Sequence, residues 1–600
     1  MKISSDRLES FCGDVLPLWI ESEEDLSRED INWEADGDCV RITSLRDDGP
    51  LTVNHGVLLT LLREGECAVR ASNKGNVYSC NVVSRRPKKF DPNGERRYFR
   101  GNFHDHTSMD HNVATFPYRT EWLPADYVEK VGEEGRLDCS AITDHAILMS
   151  NRDLFLGFTA AEEAKSRYGV VFFAGNESNV SIREYDRFGV PHNNAGEAVV
   201  INADSRAACN GWDSFLDAYK NSPYAIGFFC HPQEMGGGDT GLWDFDFEKK
   251  YTPALAKMMK GIAIGDGIPN SQSNDVNELA FSRALDAGFR VSTTSSGDRH
   301  GITKWGFSAV PGKTVLIANE KSKEAFLDAL NSLRFYACKS GNLKLDIRVN
   351  GVSAPCSLAK TDVYDFHVRV SYFENDESTF PALCEVISDK GRVVKKIENA
   401  DFSDLGFSVR SDTARYFYLR FVDPSGRRTF SPPVFTGRKT ERYSDPGYKE
   451  IDKNAFTAVD LATGRDAGVL VNGDPNDIFV GEKTAEILID MKEARRVCAM
   501  GVYSPRCVAQ ELKEAGIKVH ERIASFVCEY AVSTSTDGEN FTEAARGRLR
   551  VYGNEEIVPF PPRSARYVKF SALGTVGAYR GTGKLKDANV MIAELSLFTK

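Results

Sequence analysis

The sequence lacks the cysteine spacings that build disulfide frameworks and zinc ribbons. Its 13 cysteines are an odd number, and they are scattered without a CxxC pair. Disulfide-rich secreted domains show a regular framework instead. We therefore expect reduced thiols and a cytoplasmic location.

Long apolar runs are also missing. No run approaches the ~20 residues that a membrane-spanning helix needs. The first 25 residues are acidic and contain no apolar h-region, which argues against a signal peptide. A signal removed ahead of residue 1 stays open, and we expect no membrane partner.

An excess of positive charge is absent as well. The formal net charge is −11 over 600 residues, which argues against a nucleic-acid partner because such a partner needs a basic face. A small anionic substrate is still compatible with this charge, since bound metal ions would supply local positive charge. The length exceeds what one hydrophobic core supports and predicts three or four domains.

Four units follow from the pattern of apolar residues. Residues 1–95 contain short β-rich runs, resemble bacterial Ig-like repeats and predict a β-sandwich. Residues 96–340 alternate apolar runs with helical stretches, which indicates a parallel sheet covered by helices; seven such strands favour a closed barrel. Residues 341–445 and 446–600 return to β patterns and predict two further sandwiches. The expected fold class is multidomain, α/β plus all-β.

Three short strings in the second unit place histidine and aspartate at the ends of apolar runs. They are GNFHDHTSMDH, from Gly101 to His111, AITDH, from Ala141 to His145, and GDRHG, from Gly297 to Gly301. Neutral imidazole and carboxylate together suit zinc, manganese or iron. Because the carboxyl ends of barrel strands meet at one mouth, we expect these side chains to converge there.

The candidate ligands extend beyond the three strings. Glu177 follows GVVFFAG, His192 lies in GVPHNN, and His231 follows YAIGFFC. His111 and Asp110 compete for one position, and His111 is preferred. Three other histidines are interpreted as ordinary polar residues: His55, His367 and His520. The full set of predicted metal ligands is His104, His106, His111, His145, Glu177, His192, His231, Asp298 and His300.

The motifs GNFHDHT, AITDH, AGNES, CHP and GDRH resemble, in order and spacing, those of the PHP (polymerase and histidinol phosphatase) superfamily. The resemblance covers about 245 residues and implies a distorted (β/α)7 barrel with two or three divalent ions. It places one ion on His104, His106, Glu177 and Asp298. It places a second on Glu177, His192 and His231, and a third on His111, His145 and His300. Asp144 would orient a ligand.

The chain departs from the family pattern at three positions. Asn102 and His111 stand where the family usually has aspartate, and Ala263 stands where a later strand often carries glutamate. The change at His111 leaves the identity of the third ion in doubt. Longer members with a β-sandwich after the barrel, including the CehA/McbA-like metallohydrolases, are the most similar.

The expected reaction is hydrolysis by a metal-bridging hydroxide, most directly of a phosphoester. We expect Asp298, His300, Glu177 and Arg299 to carry catalysis. Arg183 and Lys304 are further candidates for charge around the substrate. No GxSxG elbow occurs, which favours direct attack by water. Two alternatives stay open: hydrolysis of a carboxyl ester, amide or glycan-linked group, and a non-catalytic glycan-binding or assembly protein.

Residues 446–600 carry segments that resemble the discoidin-like (factor 5/8 C-type) β-sandwich. These segments are STDGENFTEA, ARYVKF and AELSLF. The resemblance implies a module that binds sugars or other ligands. Tryptophan is absent after Trp305, and no aromatic cluster marks a sugar platform. A structural sandwich is therefore kept as an equal alternative.

Overall fold

The computed structural model describes most of the chain. The described residues are 1–22, 31–45, 53–107, 123–134, 136–165, 167–180, 183–185, 187–189, 191–193, 196–207, 211–230, 232, 245–264, 274–298, 312–438, 447–505, 514–516, 519–549, 555–580 and 587–600. Strand is far more common than helix in them. Within these ranges no helix has both the length and the apolar character to cross a bilayer.

The first unit is a sandwich of two four-stranded sheets, ordered β1-β3-β6-β5 and β2-β8-β7-β4. Its strands are β1 (Lys2–Ile3), β2 (Arg7–Phe11), β3 (Val15–Glu21), β4 (Asn32–Ala35), β5 (Val40–Leu45), β6 (Val53–Leu61), β7 (Gly65–Asn73) and β8 (Asn76–Arg85). Side chains alternate between the two faces of a strand, and β7 buries every second residue accordingly. Leu18, Leu59, Val69 and Val82 from both sheets share one core.

The second unit combines strands and helices. Its strands are β9 (Arg97–Asn102), β10 (Cys139–Ile142), β11 (Val171–Asn179), β12 (Arg183–Tyr185), β13 (Pro191–Asn193), β14 (Glu197–Ile201), β15 (Ile226–Cys230), β16 (Met259–Ala263), β17 (Ser292–Thr294), β18 (Lys313–Ala318) and β19 (Phe335–Cys338). Its helices are α1 (Pro124–Glu134), α2 (Asn151–Ala164), α3 (Trp212–Tyr219), α4 (Phe247–Lys250), α5 (Pro253–Met258), α6 (Asn274–Ala287) and α7 (Lys323–Asn331).

Local capping chemistry fixes the starts of several helices. Ser150 and Asp153 form a reciprocal capping box at the start of α2, and Ser322 caps α7. The sequence pattern predicts helix in five stretches, and each overlaps one of the described helices, although α2 begins before its predicted stretch; the stretches are PADYVEKVGEE, FTAAEEAKSRY, WDSFLDAYKN, SNDVNELAFSRALDAG and SKEAFLDALNSL.

The sheet of the second unit is mixed, which corrects the expected parallel sheet. Its order is β17-β16-β15-β14-β11-β10-β9-β18-β19. The pairs β9–β10, β10–β11, β15–β16 and β16–β17 are parallel, but β14 runs antiparallel to both β11 and β15. The reversal follows from the short hairpin β12–β13, because a hairpin turns the chain back whereas a crossover helix would not.

Over the described residues, the sheet does not close into the barrel that the sequence predicts. Among the described strands the backbone ladder is a path with two ends rather than a ring. Side chains link those ends: the Thr293 hydroxyl accepts the Ala337 N–H at 3.0 Å, and the Ser292 hydroxyl donates to the Phe335 carbonyl. The sheet is therefore strongly curled without a closing ladder.

The third unit shares its sheet with the second. Its strands are β20 (Leu343–Val349), β21 (Val352–Ser353), β22 (Cys356–Ser357), β23 (Val363–Tyr372), β24 (Leu383–Ser388), β25 (Arg392–Glu398), β26 (Leu405–Arg410), β27 (Tyr416–Val422), β28 (Arg428–Phe430) and β29 (Val434–Phe435). One layer is β21-β20-β23-β26. The other, β28-β27-β24-β25, continues directly from β19 through the pair Cys338–Thr429. The division of the chain at residue 340 stays a prediction.

The fourth unit is a β-sandwich with very long strands. Its elements are β30 (Lys449–Glu450), β31 (Thr457–Asp460), β32 (Phe479–Val480), β33 (Ala485–Tyr503), β34 (Val527–Ser535), β35 (Thr542–Arg548), β36 (Glu555–Thr575), β37 (Met591–Ile592), β38 (Glu594–Thr599), α8 (Val519–Ala524) and α9 (Val576–Arg580). Irregularities between Asp490 and Ala499 bend β33, so its first half pairs with β31 and its second half with β38. Both halves contribute to one core.

Candidate metal centre

Four of the predicted ligands meet at one point. His104, His106, Glu177 and Asp298 each present one donor atom, and these atoms all lie within 4.8 Å of one another. His104, His106 and Glu177 are buried, whereas the Asp298 side chain is 19% exposed. The group therefore opens toward solvent on the side of Asp298.

The strands bring these residues together. His104 and His106 follow the end of β9, and Asp298 follows β17. Glu177 lies inside β11, not after it, which corrects the expected position. Phe103, next to His104, packs against Phe173 and Phe228 at ring distances of 5.9 and 5.7 Å.

The spacing of the donor atoms suits a small divalent cation. His104 Nε2 lies 3.1 Å from Glu177 Oε1 and 3.4 Å from Asp298 Oδ1. His106 Nε2 lies 3.3 Å from Glu177 Oε2, 3.1 Å from Asp298 Oδ1 and 3.3 Å from His104 Nε2. Metal–ligand bonds of about 2.0–2.1 Å in tetrahedral geometry put neighbouring donors roughly 3.3 Å apart. The four residues fit zinc, manganese or iron by donor type and by separation.

The charge state of Glu177 agrees with a ligand role. Complete burial alone would raise its pKa, but the imidazoles of His104 and His145 and hydrogen bonds from His104 and His106 hold the pKa well below its usual range. Glu177 is therefore a carboxylate, the form that binds a cation.

A buried hydrogen-bond network fixes the turn after β9. The Asn102 side chain donates to the Asp105 carboxylate, which also accepts from the Tyr127 hydroxyl at 3.0 Å. Asn102 Oδ1 accepts the Gly297 N–H at 3.0 Å. Asn102, where the PHP pattern usually has aspartate, therefore joins the β9 turn to the segment after β17.

The Asp144 carboxylate holds the chain just after His106, and the predicted role of Asp144 in orienting a ligand stays a prediction. Its carboxylate accepts the backbone N–H of Thr107, and it accepts the Thr107 hydroxyl at 2.8 Å. It thereby anchors the segment that follows His106.

Asp298 adopts a strained backbone conformation. Its φ is +45°, in the left-handed region that residues other than glycine rarely occupy. Its N–H donates to the His104 carbonyl at 2.7 Å. Strain of this kind persists where the surroundings impose it, often at functional sites.

A second group shares Glu177. His145, Glu177 and Glu197 bring three donor atoms within 4.8 Å of one another. His145 Nδ1 lies 3.0 Å from Glu177 Oε2 and 3.9 Å from Glu197 Oε1. Glu177 thus stands between the two groups, as a bridging ligand would.

Sequence reasoning missed Glu197 because it looked for ligands at the carboxyl ends of strands. Glu197 begins β14, and the antiparallel direction of β14 sets it opposite Asn179 at the end of β11. The available signal was a glutamate at the start of the apolar run EAVVI.

Of the remaining predicted site residues, Arg183 and His192 lie in the paired strands β12 and β13, and the structure describes their backbone alone. The others lie in the undescribed segments: Asp110, His111, His231, Arg299, His300 and Lys304. Their roles stay predictions. Away from the site, His367 pairs with Asp404 at 2.7 Å, and the ring of His55 lies 6.1 Å from that of Phe155.

The segments used to predict a discoidin-like unit have defined places. STDGEN forms the turn between β34 and β35, where Gly538 has φ +84° and Asp537 accepts backbone N–H groups of Glu539 and Asn540. ARYVKF lies in β36, and AELSLF leads into and forms β38.

No protein-family model and no curated protein matches the chain. Solved structures do match. A CBM32 module from Clostridium perfringens in complex with GalNAc-β-1,3-galactose is 17% identical, and the match covers 25% of this chain and 100% of that one, with a TM-score of 0.20. The family 32 CBM of C. perfringens NanJ in complex with galactose is 16% identical over 25% of this chain and 99% of that one, with a TM-score of 0.20. A truncated AlyQ with CBM32 and alginate lyase domains is 15% identical over 25% of this chain and 33% of that one, with a TM-score of 0.19.

Proposed function

We propose that the second unit is a metal-dependent hydrolase of the PHP type. The observation that carries this proposal is the buried quartet of His104, His106, Glu177 and Asp298, with neighbouring donor atoms 3.1–3.4 Å apart. A bound divalent ion supplies a nucleophile near neutral pH and positive charge for an anionic substrate.

The residues of the chain have separable tasks in this proposal. Glu177 contributes negative charge to both donor groups and keeps the deprotonated form through its histidine neighbours. Asp298 is the partly exposed member, so the substrate approaches on its side. The backbone bond from Asp298 to His104 holds the two sides of the quartet at a fixed separation.

A phosphoester is the substrate class we put first. Several cations side by side would stabilise the nonbridging oxygens of a phosphoryl group. Hydrolysis of a carboxyl ester, an amide or a glycan-linked group needs less positive charge around the substrate, and these substrates form the alternative.

The first experiment compares metal content and hydrolysis in the purified full chain. Zinc, manganese and iron are measured by mass spectrometry, followed by assays on nitrophenyl phosphate, bis-nitrophenyl phosphate, nitrophenyl acetate and nitrophenyl galactoside. We expect His106→Gln to lose bound metal and phosphoester hydrolysis. His367→Gln, a histidine paired with Asp404 outside the site, should keep both. Equal metal content in the two variants would reject the quartet as a metal site.

Carbohydrate binding by the fourth unit is a second candidate function. The turn at STDGEN and the strands containing ARYVKF and AELSLF favour it, because they reproduce the discoidin-like pattern in an actual β-sandwich. Galactose and GalNAc-β-1,3-galactose, named with the matched modules, are the first ligands to test.

This candidate is tested separately from hydrolysis. Calorimetry with these sugars is run on the full chain before and after metal removal, and on the His106→Gln variant. Binding that survives both treatments supports a carbohydrate-binding fourth unit. Absence of binding at millimolar sugar in all three samples would remove it.

A further inference from the structure

A polar cleft of about 690 Å³ lies between the third and fourth units. One wall consists of β24, β25, β27 and β28, and the other consists of β34, β35 and the end of β36. The two walls approach where Arg548 lies beside Gly391, at which an added Cβ would be 3.5 Å from Arg548 Nη1. We call this the basic cleft. Its volume is in the range of small-molecule sites, which often occur at domain interfaces.

Cations dominate its lining, although the chain as a whole is acidic. Six basic residues line it: Arg392, Lys396, Arg420, Arg428, Arg546 and Arg548. The described lining includes two acidic residues, Glu385 and Glu529. The partners of the lining cations add two more carboxylates from outside the cleft, Glu278 and Glu543. The cations still exceed the carboxylates by two.

Not all of these cations are neutralised. Arg420 is buried between Glu278 and Glu385, which makes it structural. By contrast, Arg392 has, in the described part of the chain, a single contact from its guanidinium, 3.3 Å from Nε to the Asp389 carbonyl oxygen. Arg546 faces solvent, and its ion pair within the described ranges is with Glu543, a weak type of surface ion pair. Arg392 and Arg546 stand on opposite walls and are available to an anion between them.

Glu385 and Glu529 limit which kind of anion the basic cleft can bind. Burial alone would raise the pKa of Glu385, but Arg420 and Lys396 lower it, so it is a carboxylate. Glu529 is half-exposed and pairs with Arg548 at 3.1 Å. Carboxylates accept hydrogen bonds and repel a ligand made only of acceptors, such as a polyphosphate. They favour a ligand that carries hydroxyl donors beside its anionic groups.

Apolar surface lies between the charges. Leu573 is 40% exposed, and Val393 on the opposite wall is half-buried. The faces of sugar rings have C–H groups that pack on such surface. We propose that the basic cleft binds an acidic oligosaccharide of two or three units, with its carboxylates or sulfates between Arg392 and Arg546 and its hydroxyls on the acidic residues. This site is separate from the metal centre, and the proposal depends on neither candidate function.

The test is calorimetric titration of the full chain with trigalacturonic acid. A neutral galactotriose and inorganic tripolyphosphate are titrated in parallel. Galactotriose tests hydroxyl groups without negative charge, and tripolyphosphate tests negative charge without sugar hydroxyls. We expect trigalacturonic acid to bind more tightly than either comparison ligand. The double variant R392Q/R546Q should lose at least about tenfold in affinity, because each charge-assisted contact is worth that much or more.

The control variant is R496Q, which removes an exposed arginine of the fourth unit outside the cleft. It should bind trigalacturonic acid as the parent chain does. Circular dichroism of the double variant checks that it is folded. Equal affinity in R392Q/R546Q and the parent chain would overturn the proposal. So would tighter binding of tripolyphosphate or galactotriose than of trigalacturonic acid, or no binding of trigalacturonic acid.

Discussion

The backbone N–H of Asp298 donates to the carbonyl oxygen of His104 at 2.7 Å. This bond joins two chain segments that are distant in sequence and that each supply a donor atom to the quartet. The arrangement of the donors is therefore set by the main chain as well as by side-chain rotamers. A site held in this way keeps its geometry before a cation arrives.

Replacing Asn102 with aspartate tests the network behind the quartet. Asn102→Asp removes the amide donor to Asp105 and puts two carboxylates in contact in a buried place. We expect a loss of about 2–3 kcal/mol in the free energy of unfolding at pH 7. Urea unfolding in the presence of EDTA measures it. Asn32→Asp on exposed β4 is the control and should change stability by less than about 0.5 kcal/mol. Unchanged stability of Asn102→Asp would contradict the assigned role.

Glu197 is expected to hold a second ion together with His145 and Glu177. Glu197→Gln keeps the size of the side chain and an acceptor for Asn179, but removes the charge. Loss of a residue that supports a ligand typically weakens metal affinity roughly 10–100-fold, so loss of a ligand charge should weaken the affinity for the second ion by at least about tenfold, while the ion on the quartet is retained. Zinc titration of the metal-free chain resolves the two events. Glu374→Gln, at an exposed position, serves as the matched control. Loss of both ions would show that the two groups are not separate, and loss of neither would show that Glu197 is not a ligand.

Glu278 is expected to make the free energy of unfolding depend on pH in the acidic range. Burial raises its pKa, but Arg420 and Arg428 outweigh burial and lower the pKa from 4.5 to about 2. A depressed pKa means that the unfolded chain binds the proton first as the pH falls. The stabilisation, about 3 kcal/mol, is therefore complete above pH 4.5 and is lost as the pH falls toward 2.

Glu278→Gln should remove this dependence and lower stability at pH 7, because it leaves Arg420 and Arg428 short of a carboxylate. Urea midpoints at pH 3, 4.5 and 7 give the comparison. A parent chain and a variant with parallel pH profiles would exclude Glu278 as the source.

Arg187 connects the second unit to the fourth. Its guanidinium donates to both oxygens of Glu555 at 2.6 and 2.7 Å and also pairs with Glu450. These carboxylates raise the pKa of Arg187 even though burial lowers it. We expect Arg187→Ala to cost about 1–2 kcal/mol and to increase amide exchange in β30 and β38. Hydrogen-exchange mass spectrometry measures this, with Arg496→Ala as control. Exchange that is unchanged at these strands would show that other contacts hold the units together.

Much of the site was accessible from the sequence because ligand residues follow local signals. GNFHDHT and AITDH placed His104, His106 and His145 at strand ends, and β9 and β10 end just before them. Helix starts are also encoded locally, since Ser150 and Ser322 cap helices by side-chain bonds within three residues; the signal at Ser150 was missed, and α2 begins earlier than expected.

The misses have a common physical origin in pairing between distant segments. Apolar runs such as EAVVI read the same in either direction, so the pattern gives no sign that β14 is antiparallel. That reversal brings Glu197 beside His145 and Glu177 and breaks the expected parallel sheet. The strands β19 and β28 are joined through one residue pair, and the apolar pattern of the sequence does not indicate that they are neighbours.

The sheet that passes from β19 into β28 affects how the chain can be divided. A break near residue 340 would part Cys338 from Thr429 and leave the N–H and C=O groups of both margins without their neighbours. Bare strand margins recruit strands from other molecules. Separately produced halves of this protein should consequently aggregate, whereas in the intact chain β19 and β28 pair with each other.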